Sequence, residues 1–377
     1  MAESRNPSLA ASRHEIDAAE ARVEQAGLFP NPSVGYRIDD APASHDRFHE
    51  GTQWLELSQP FILGNRRRAG VEAARSGVEV QRARYEMDRR MILTQAAESF
   101  FDALYRQEAV ERVRQLQTVA KESGEITRTR YKAGAEAELE LLKAEIEVAR
   151  LDVELSNAEK GLAVARAALA EVIGGGALPA KLEGSMTAAA GKEDGGSLRE
   201  KILRQHPLVL GALHSLAEAR SVARKARAEV VPDLRVNVGV GHNGAEDDTV
   251  VMGGMEIELP VFNRNQGAIR EADVRIAQAE LDVQARRNAV ERSVAETVEN
   301  YNRALEQVRL FADQIVPKAQ RAVEQAQTGY RSGKFPFLTV LDAERTLGQT
   351  RLGLLEAERE AAQNRARLRG MLGEFGE

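Results

Sequence analysis

Six histidines, His14, His45, His49, His206, His214 and His242, are the side chains best suited to proton transfer or metal ligation in this chain of 377 residues, which contains no cysteine. The lack of cysteine excludes disulfide frameworks, thiolate metal centres, sulfur nucleophiles and a lipidated N-terminal cysteine for the chain as written. His45 and His49, with Asp46 and Glu50 beside them, fall in a polar loop and read as loop polarity rather than a metal site. His206 stands at a helix start, and His14 and His214 lie on helices without a second histidine at i+4. Met252 and Met255 are an odd number of residues apart within a strand, so they face opposite sides and do not share a soft metal. No G-x-S-x-G, P-loop or H-E-x-x-H motif is present. The chain is expected to have no catalytic centre, metal site or cofactor.

Composition narrows the remaining classes. There are 52 basic and 58 acidic residues, a net charge of −6, and the one isolated basic block is Arg66-Arg67-Arg68, so a dedicated nucleic-acid binder is not expected. Charged residues make up 29% and aromatics only 5%, which suits long Ala/Glu/Arg-rich helices and an elongated body. No stretch of about 18 or more uncharged apolar residues occurs, so no membrane-spanning helix is predicted. A β-barrel stays open, because its strands need only about 9 to 11 alternating residues.

The elements that must position any function come in duplicate. Asn6-Pro7-Ser8-Leu9 returns as His206-Pro207-Leu208-Val209, and Phe29-Pro30-Asn31-Pro32 as Val231-Pro232-Asp233-Leu234. Leu57-Ser58-Gln59-Pro60-Phe61 returns as Glu258-Leu259-Pro260-Val261-Phe262, and Tyr131-Lys132-Ala133-Gly134 as Tyr330-Arg331-Ser332-Gly333. The proline and glycine landmarks are offset by 200, 202, 200 and 199 residues, one register with small insertions. The chain therefore reads as two structural repeats, 1–190 and 191–377, joined through the Gly/Pro-rich stretch from Gly174 to Ser197.

Each repeat predicts a helix, a β-hairpin, a very long helix, a tight turn and a returning helix. The hairpins span 33–59 and 234–259, the long helices 66–130 and 267–330, the returning helices 135–173 and 336–372. In the hairpins, Val34, Tyr36 and Ile38, Leu55 and Leu57, Val236, Val238 and Val240, and Val251, Met255 and Ile257 alternate with small or polar residues, giving one apolar face. The long helices would each reach about 95 Å. In the second, Val290, Val294, Val298, Tyr301, Leu305, Val308, Ala312 and Ile315 step by fours and threes, close to the 3.5-residue period of a coiled coil. Pro317 is expected to kink that helix, and Gly134 and Gly333 to end the long helices in left-handed caps.

Two hairpins with one apolar face leave edges and that face uncovered, so further strands are needed. Three chains would supply twelve, an even antiparallel set able to close with the apolar residues towards lipid and Arg37, Asp39, Arg235 and Asn237 towards a water-filled interior. The fold class expected is mainly α with membrane β: a trimeric twelve-stranded β-barrel, four strands per chain, continued by a long α-helical barrel and internally duplicated. The long helices alone would also suit a periplasmic coiled-coil scaffold or adaptor without a channel, against which the duplicated hairpins argue.

The chain resembles the TolC-type outer-membrane efflux channels over essentially its whole length. The resemblance rests on Ala26-Gly27-Leu28-Phe29-Pro30-Asn31-Pro32, Leu57-Ser58-Gln59-Pro60-Phe61, Leu259-Pro260-Val261-Phe262-Asn263 and Gly329-Tyr330-Arg331-Ser332-Gly333 with Val340-Leu341-Asp342-Ala343-Glu344. The stretch Pro60 to Arg67 is most similar to the heavy-metal branch. The resemblance implies a homotrimeric exit duct in the cell outer membrane, its helical barrel in the periplasm. It implies as partners a periplasmic adaptor (membrane fusion) protein and an inner-membrane transporter, of the proton-driven RND type.

It also implies that the helix-to-helix turns form the periplasmic tip and adaptor contact, here Tyr131, Lys132, Gly134, Tyr330, Arg331, Gly333 and Lys334. Acidic side chains that narrow the aperture in the family correspond to Glu140 and Lys143 in the first repeat and Thr339 and Asp342 in the second. Glu140 and Asp342 are thus the candidate gate, the alternative being ordinary interhelical ion pairs. For Arg331 and Lys334, interaction with a helix C-terminal dipole stands beside a gating role. The first repeat lacks the helical lead-in Leu198–Leu203 of the second, from which a missing signal peptide and part of the first helix are expected.

Overall fold

Strong helix formers fill the long stretches after each hairpin, and those stretches are helical in the computed structural model, which describes residues 2–41, 50–186, 191–332 and 334–375. In chain order the elements are α1 (Ala2–Arg5), α2 (Pro7–Gly27), β1 (Ser33–Asp39), β2 (Thr52–Phe61), α3 (Arg66–Lys132), α4 (Glu138–Val172), α5 (Gly195–Gln205) and α6 (Pro207–Ala228). They continue as β3 (Leu234–Asn243), β4 (Asp248–Ile257), α7 (Gln266–Leu310), a π turn (Phe311–Ile315), α8 (Val316–Arg331) and α9 (Phe337–Leu372). Solvated helix faces carry ladders of i,i+3 and i,i+4 ion pairs such as Arg114–Glu111, Arg128–Glu125 and Arg286–Asp282, exposed pairs that favour the helix only weakly.

The chain divides into two compact units, each drawing on both halves of the sequence. One comprises Ser12–Tyr85 and Pro207–Arg287, the other Glu86–His206, Asn288–Glu377 and the residues up to Ala11. In the first unit the two hairpins join edge to edge into one antiparallel sheet in the order β1-β2-β3-β4. Val34 pairs with Leu57, Leu57 with Val238 and Val238 with Gly253, while Tyr36, Leu55, Val240 and Val251 form the next row. Strand β2 runs through Pro60 to Phe61, two residues beyond its expected end. Its pairing with β1 stops at Ser58, so at Pro60 it has only β3 as a neighbour and the missing N–H is tolerated as on an edge. Beneath the sheet, Ala223, Ala226 and Ala272 pack with Ile269 and Ile276, and the Ser76 and Ser221 hydroxyls bond across α3 and α6 at 2.9 Å.

In the second unit the core is built from Ala103, Leu104, Ala165, Leu169, Leu355 and Ala362, with Leu182 and Met186 of the connecting segment laid over them. Two amide side chains strap that segment down. Gln107 accepts from the Leu182 N–H at 2.8 Å and donates to its carbonyl at 3.0 Å, and Asn302 makes the same paired contact with the Glu193 backbone at 3.1 and 3.3 Å.

The expected heptad face of the second long helix is buried from Val290 through Tyr301 to Leu305, but Ala312 and Ile315 are exposed. The π turn is the reason: its wider winding rotates the face, so that Phe311 rather than Ala312 meets α9, where a Cβ on Gly353 would come within 2.9 Å of the Phe311 ring. Pro317 lies in the first turn of α8 directly after it, so the helix expected to be continuous over 267–330 is interrupted here, where the ring would clash with the preceding turn. Its counterpart α3 is unbroken over 67 residues.

Candidate functional site

Two turns close the helical hairpins of the second unit. In the first, Gly134 has φ +70°, the Gly134 N–H donates to the Tyr131 carbonyl and the Ala135 N–H reaches back to the Arg130 carbonyl at 2.9 Å, a Schellman-type cap. In the second, the Lys334 N–H donates to the Gly329 carbonyl at 2.8 Å; Gly333 itself lies outside the described residues. Tyr131 is 38% exposed, and Lys132, Arg331 and Lys334 are exposed.

The turns are tied together by a residue that sequence reasoning passed over. The Arg130 guanidinium donates to the Tyr330 hydroxyl at 3.2 Å, lies 5.9 Å from the centre of that ring and pairs with Glu136 at 3.2 Å. At the register offset of 199, Arg130 and Glu136 correspond to Gly329 and Phe335, and there the Phe335 ring covers Gly329 so closely that a Cβ would collide with it. An ion pair in one turn thus becomes an aromatic lid on glycine in the other. The alignment of Arg130 with Gly329 was the available signal.

Glu140 sits in the first turn of α4 and Asp342 in the second turn of α9, and each holds a base three residues on. Glu140 pairs with Lys143 at 3.1 Å, its side chain 26% exposed, and Asp342 pairs with Arg345 at 2.9 Å, 68% exposed. Nearby, Arg150 holds the Glu147 carboxyl below the usual range through its hydrogen bond, with a further contribution from the charge of Arg345.

In the other unit the sheet separates its chemistry by face. Val34, Tyr36, Leu55, Leu57, Val238, Val240, Val251 and Met255 share one face and are all at least 45% exposed. The opposite face carries Arg37, ion-paired with Glu56 at 2.8 Å and Asp39 at 2.9 Å, and Arg235 with Glu256 at 3.4 Å. Large side chains on this face lie flat against glycines: Trp54 on Gly241, with 2.8 Å left for a Cβ, and Met252 and Glu56 around Gly239, with 3.0 and 3.3 Å.

The described histidines do not converge. His14 contacts Asp17 at 3.1 Å and His242 faces Asp247 at 3.6 Å, while His45 and His49 lie outside the described residues. His206 is half-buried near Arg90, and burial first, then that charge, lowers its pKa to about 4. Among the described residues no group of three or more His, Asp or Glu side chains is arranged to hold a metal, and no helix is long and apolar enough to cross a membrane.

Residues 1–175 and 198–374 match the family described as "Outer membrane efflux protein". The chain is 30% identical over 379 residues to the cobalt-zinc-cadmium resistance protein CzcC of Cupriavidus metallidurans, covering 98% of this chain and 88% of that one. Among solved structures, a membrane protein from Pseudomonas aeruginosa superposes with a TM-score of 0.83 at 17% identity over 99% of this chain and 92% of that one. The outer membrane protein VceC of Vibrio cholerae does so with a TM-score of 0.78 at 22% identity, over 99% and 94%. These two likenesses carry the fold, long helices with a four-stranded antiparallel sheet per chain. Combined with the duplicated hairpins and the sheet's one apolar face, the match across both halves places this chain in the outer membrane efflux protein family.

Proposed function

We propose that the chain is one third of the outer-membrane exit duct of a tripartite efflux system. The observation that carries this reading is the sheet: an exposed apolar face, a charged face, and two edges, β1 and β4, without a further strand beside them among the described residues. Three copies with β4 of one beside β1 of the next make a closed set of twelve strands, apolar side to lipid and the Arg37–Glu56 and Arg235–Glu256 pairs to water. The helices continue the duct into the periplasm. At its tip the turns at Tyr131–Gly134 and Tyr330–Lys334 meet an adaptor, and Glu140 and Asp342 set the charge of the aperture. The duct has no energy source of its own, so an inner-membrane pump of the proton-driven RND type drives export. The similarity to CzcC makes divalent metal cations the favoured cargo.

Mass measurement of the full chain in mild detergent should give three chains, and the same material should conduct in planar bilayers. A stable, non-conducting monomer in plain buffer refutes the reading.

A further inference from the structure

We propose that the rim where the sheet gives way to helix holds an anionic phospholipid headgroup at Arg67, beside the exposed ring of Phe29, with the adjacent Arg68 adding positive charge. The proposal rests on the exit-duct reading, in which this rim lies at the periplasmic surface of the outer membrane. Phe61 continues the apolar parity of Leu55 and Leu57 and is 48% exposed. Gln59, on the same parity, donates its amide to the Pro30 carbonyl at 3.1 Å, so the segment carrying Leu28 (55% exposed) and Phe29 (68%) adjoins the end of that face. The apolar surface therefore runs from the sheet to the rim, broken by Gln59, and there it meets positive charge. The Arg67 guanidinium lies 4.4 Å from the centre of the Phe29 ring and donates to the Gly27 carbonyl at 2.9 Å.

Among the described residues that charge has no carboxylate partner. In the same unit Arg82, Arg220, Arg224, Arg227 and Arg235 each pair with a carboxylate, and Arg66 pairs with Asp233 at 3.0 Å. Arg67 and Arg68 are exposed and make no ion pair among the described residues. They also occupy the first turn of α3, which contains no acid and where the helix dipole disfavours cations. An external anion removes both disadvantages, and a guanidinium braced on an aromatic ring presents its fork to phosphate. A phospholipid complements the whole patch, acyl chains against Leu57 and Phe61 and phosphate against the arginines. Free phosphate uses only half of it. The second repeat has Val231, Gly267 and Ala268 at the corresponding positions, so there is one site per chain, three per assembled duct.

Native mass spectrometry of the full chain, purified in mild detergent doped with phosphatidylglycerol or phosphatidylcholine, tests this. Up to three phosphatidylglycerols per three-chain particle should be retained in preference to phosphatidylcholine. Arg67→Gln and Arg68→Gln should each weaken that retention about fivefold. Phe29→Leu, which keeps bulk and charge but removes the stacking plane, should weaken it less, and Arg220→Gln should leave it unchanged. Equal retention of the two lipids, wild-type retention in the double arginine variant, or displacement of the lipid by inorganic phosphate overturns the proposal. So does loss of the three-chain mass in the arginine variants with lipid retention intact, which would assign the patch to a neighbouring copy. Equal retention in a conducting three-chain particle defeats this proposal alone, whereas a wild type that forms no such particle defeats the exit-duct reading beneath it.

Discussion

Neutralising Asp342 should do more than delete a negative charge. Asp342 and Arg345 lie 2.9 Å apart and are 68% and 48% exposed, so together they contribute a net charge near zero at the candidate aperture. Asp342→Asn leaves Arg345 unopposed and shifts each chain by +1, three charges around the axis of a trimer. Arg345→Gln shifts it by −1. At a distance on the order of 10 Å in a watery pore each charge contributes about 0.4 kcal/mol, three about 1.2, or roughly an eightfold change in local cation concentration at low salt. In planar bilayers, Asp342→Asn should therefore lower cation over anion permeability and weaken block by trivalent cations, and Arg345→Gln should raise both. The two changes should be of similar size and shrink together as salt is raised, since the Debye length falls to about 3 Å at 1 M. Glu140→Gln, which frees the less exposed pair with Lys143, should move selectivity in the same direction by less. Wild-type selectivity in both Asp342→Asn and Arg345→Gln, or movement of both in one direction, refutes the gate assignment and returns these side chains to the class of interhelical pairs.

Four further outcomes follow from local geometry. Gly134→Ala should lower stability by about 1–2 kcal/mol, because its left-handed angles exclude a Cβ. Gly329→Ala should change stability little, a helix-propensity gain of about 1 kcal/mol offsetting displacement of Phe335, yet disturb adaptor binding; thermal melts with a pull-down of purified adaptor separate the two. His206 has a native pKa of about 4 against roughly 6.5 unfolded, so the unfolded state binds the proton first and stability falls as pH drops from above 6.5 towards 4. His206→Asn, the residue of the first repeat, should reduce that loss by on the order of 2 kcal/mol, read from melting curves at pH 7.5 and 4.5; identical pH dependence in both proteins would contradict it. Gly241→Val should lift Trp54 off the sheet and reduce single-channel conductance without changing subunit stoichiometry.

Much of the fold was legible because it is written in short-range periodicity and stated twice. The alternation of Val34, Tyr36, Leu55 and Leu57 fixes which face of the sheet is apolar, and the paired prolines and glycines mark where strands and helices end. The left-handed cap at Gly134 follows from the residue type alone. The π turn was not legible: the heptad pattern continues through Ala312 and Ile315, and only the fit of Phe311 against Gly353 shows which face turns inward. Long-range polar contacts escaped for a similar reason. Nothing near Gln107 or Asn302 announces that each clamps the backbone of the connecting segment, because the partner is a peptide group many residues away. The Asp342–Arg345 pair was available from i,i+3 spacing, and attending to the acid without its base left half the local charge out of account.

The two helix-to-helix turns correspond in sequence but differ in charge, and that difference would let them act differently if they form the tip. The first turn, Tyr131 to Glu140, carries Lys132 against Glu136, Glu138 and Glu140, while the second, Tyr330 to Thr339, carries Arg331 and Lys334 with no acid. One turn is net acidic, the other net basic, and Arg130 joins them by pairing with Glu136 and bonding to Tyr330. Because Arg130 serves both turns from outside them, its loss should act twice: Glu136 loses its partner and Tyr330 its donor. Arg130→Gln keeps a donor for Tyr330 but removes the charge, whereas Tyr330→Phe removes only the hydroxyl. If the link holds the turns in register, the double variant should perturb adaptor binding no more than the stronger single one, the non-additivity expected of residues in one network. Additive effects would mean that the two turns work independently and that the Arg130 bridge is incidental to the tip.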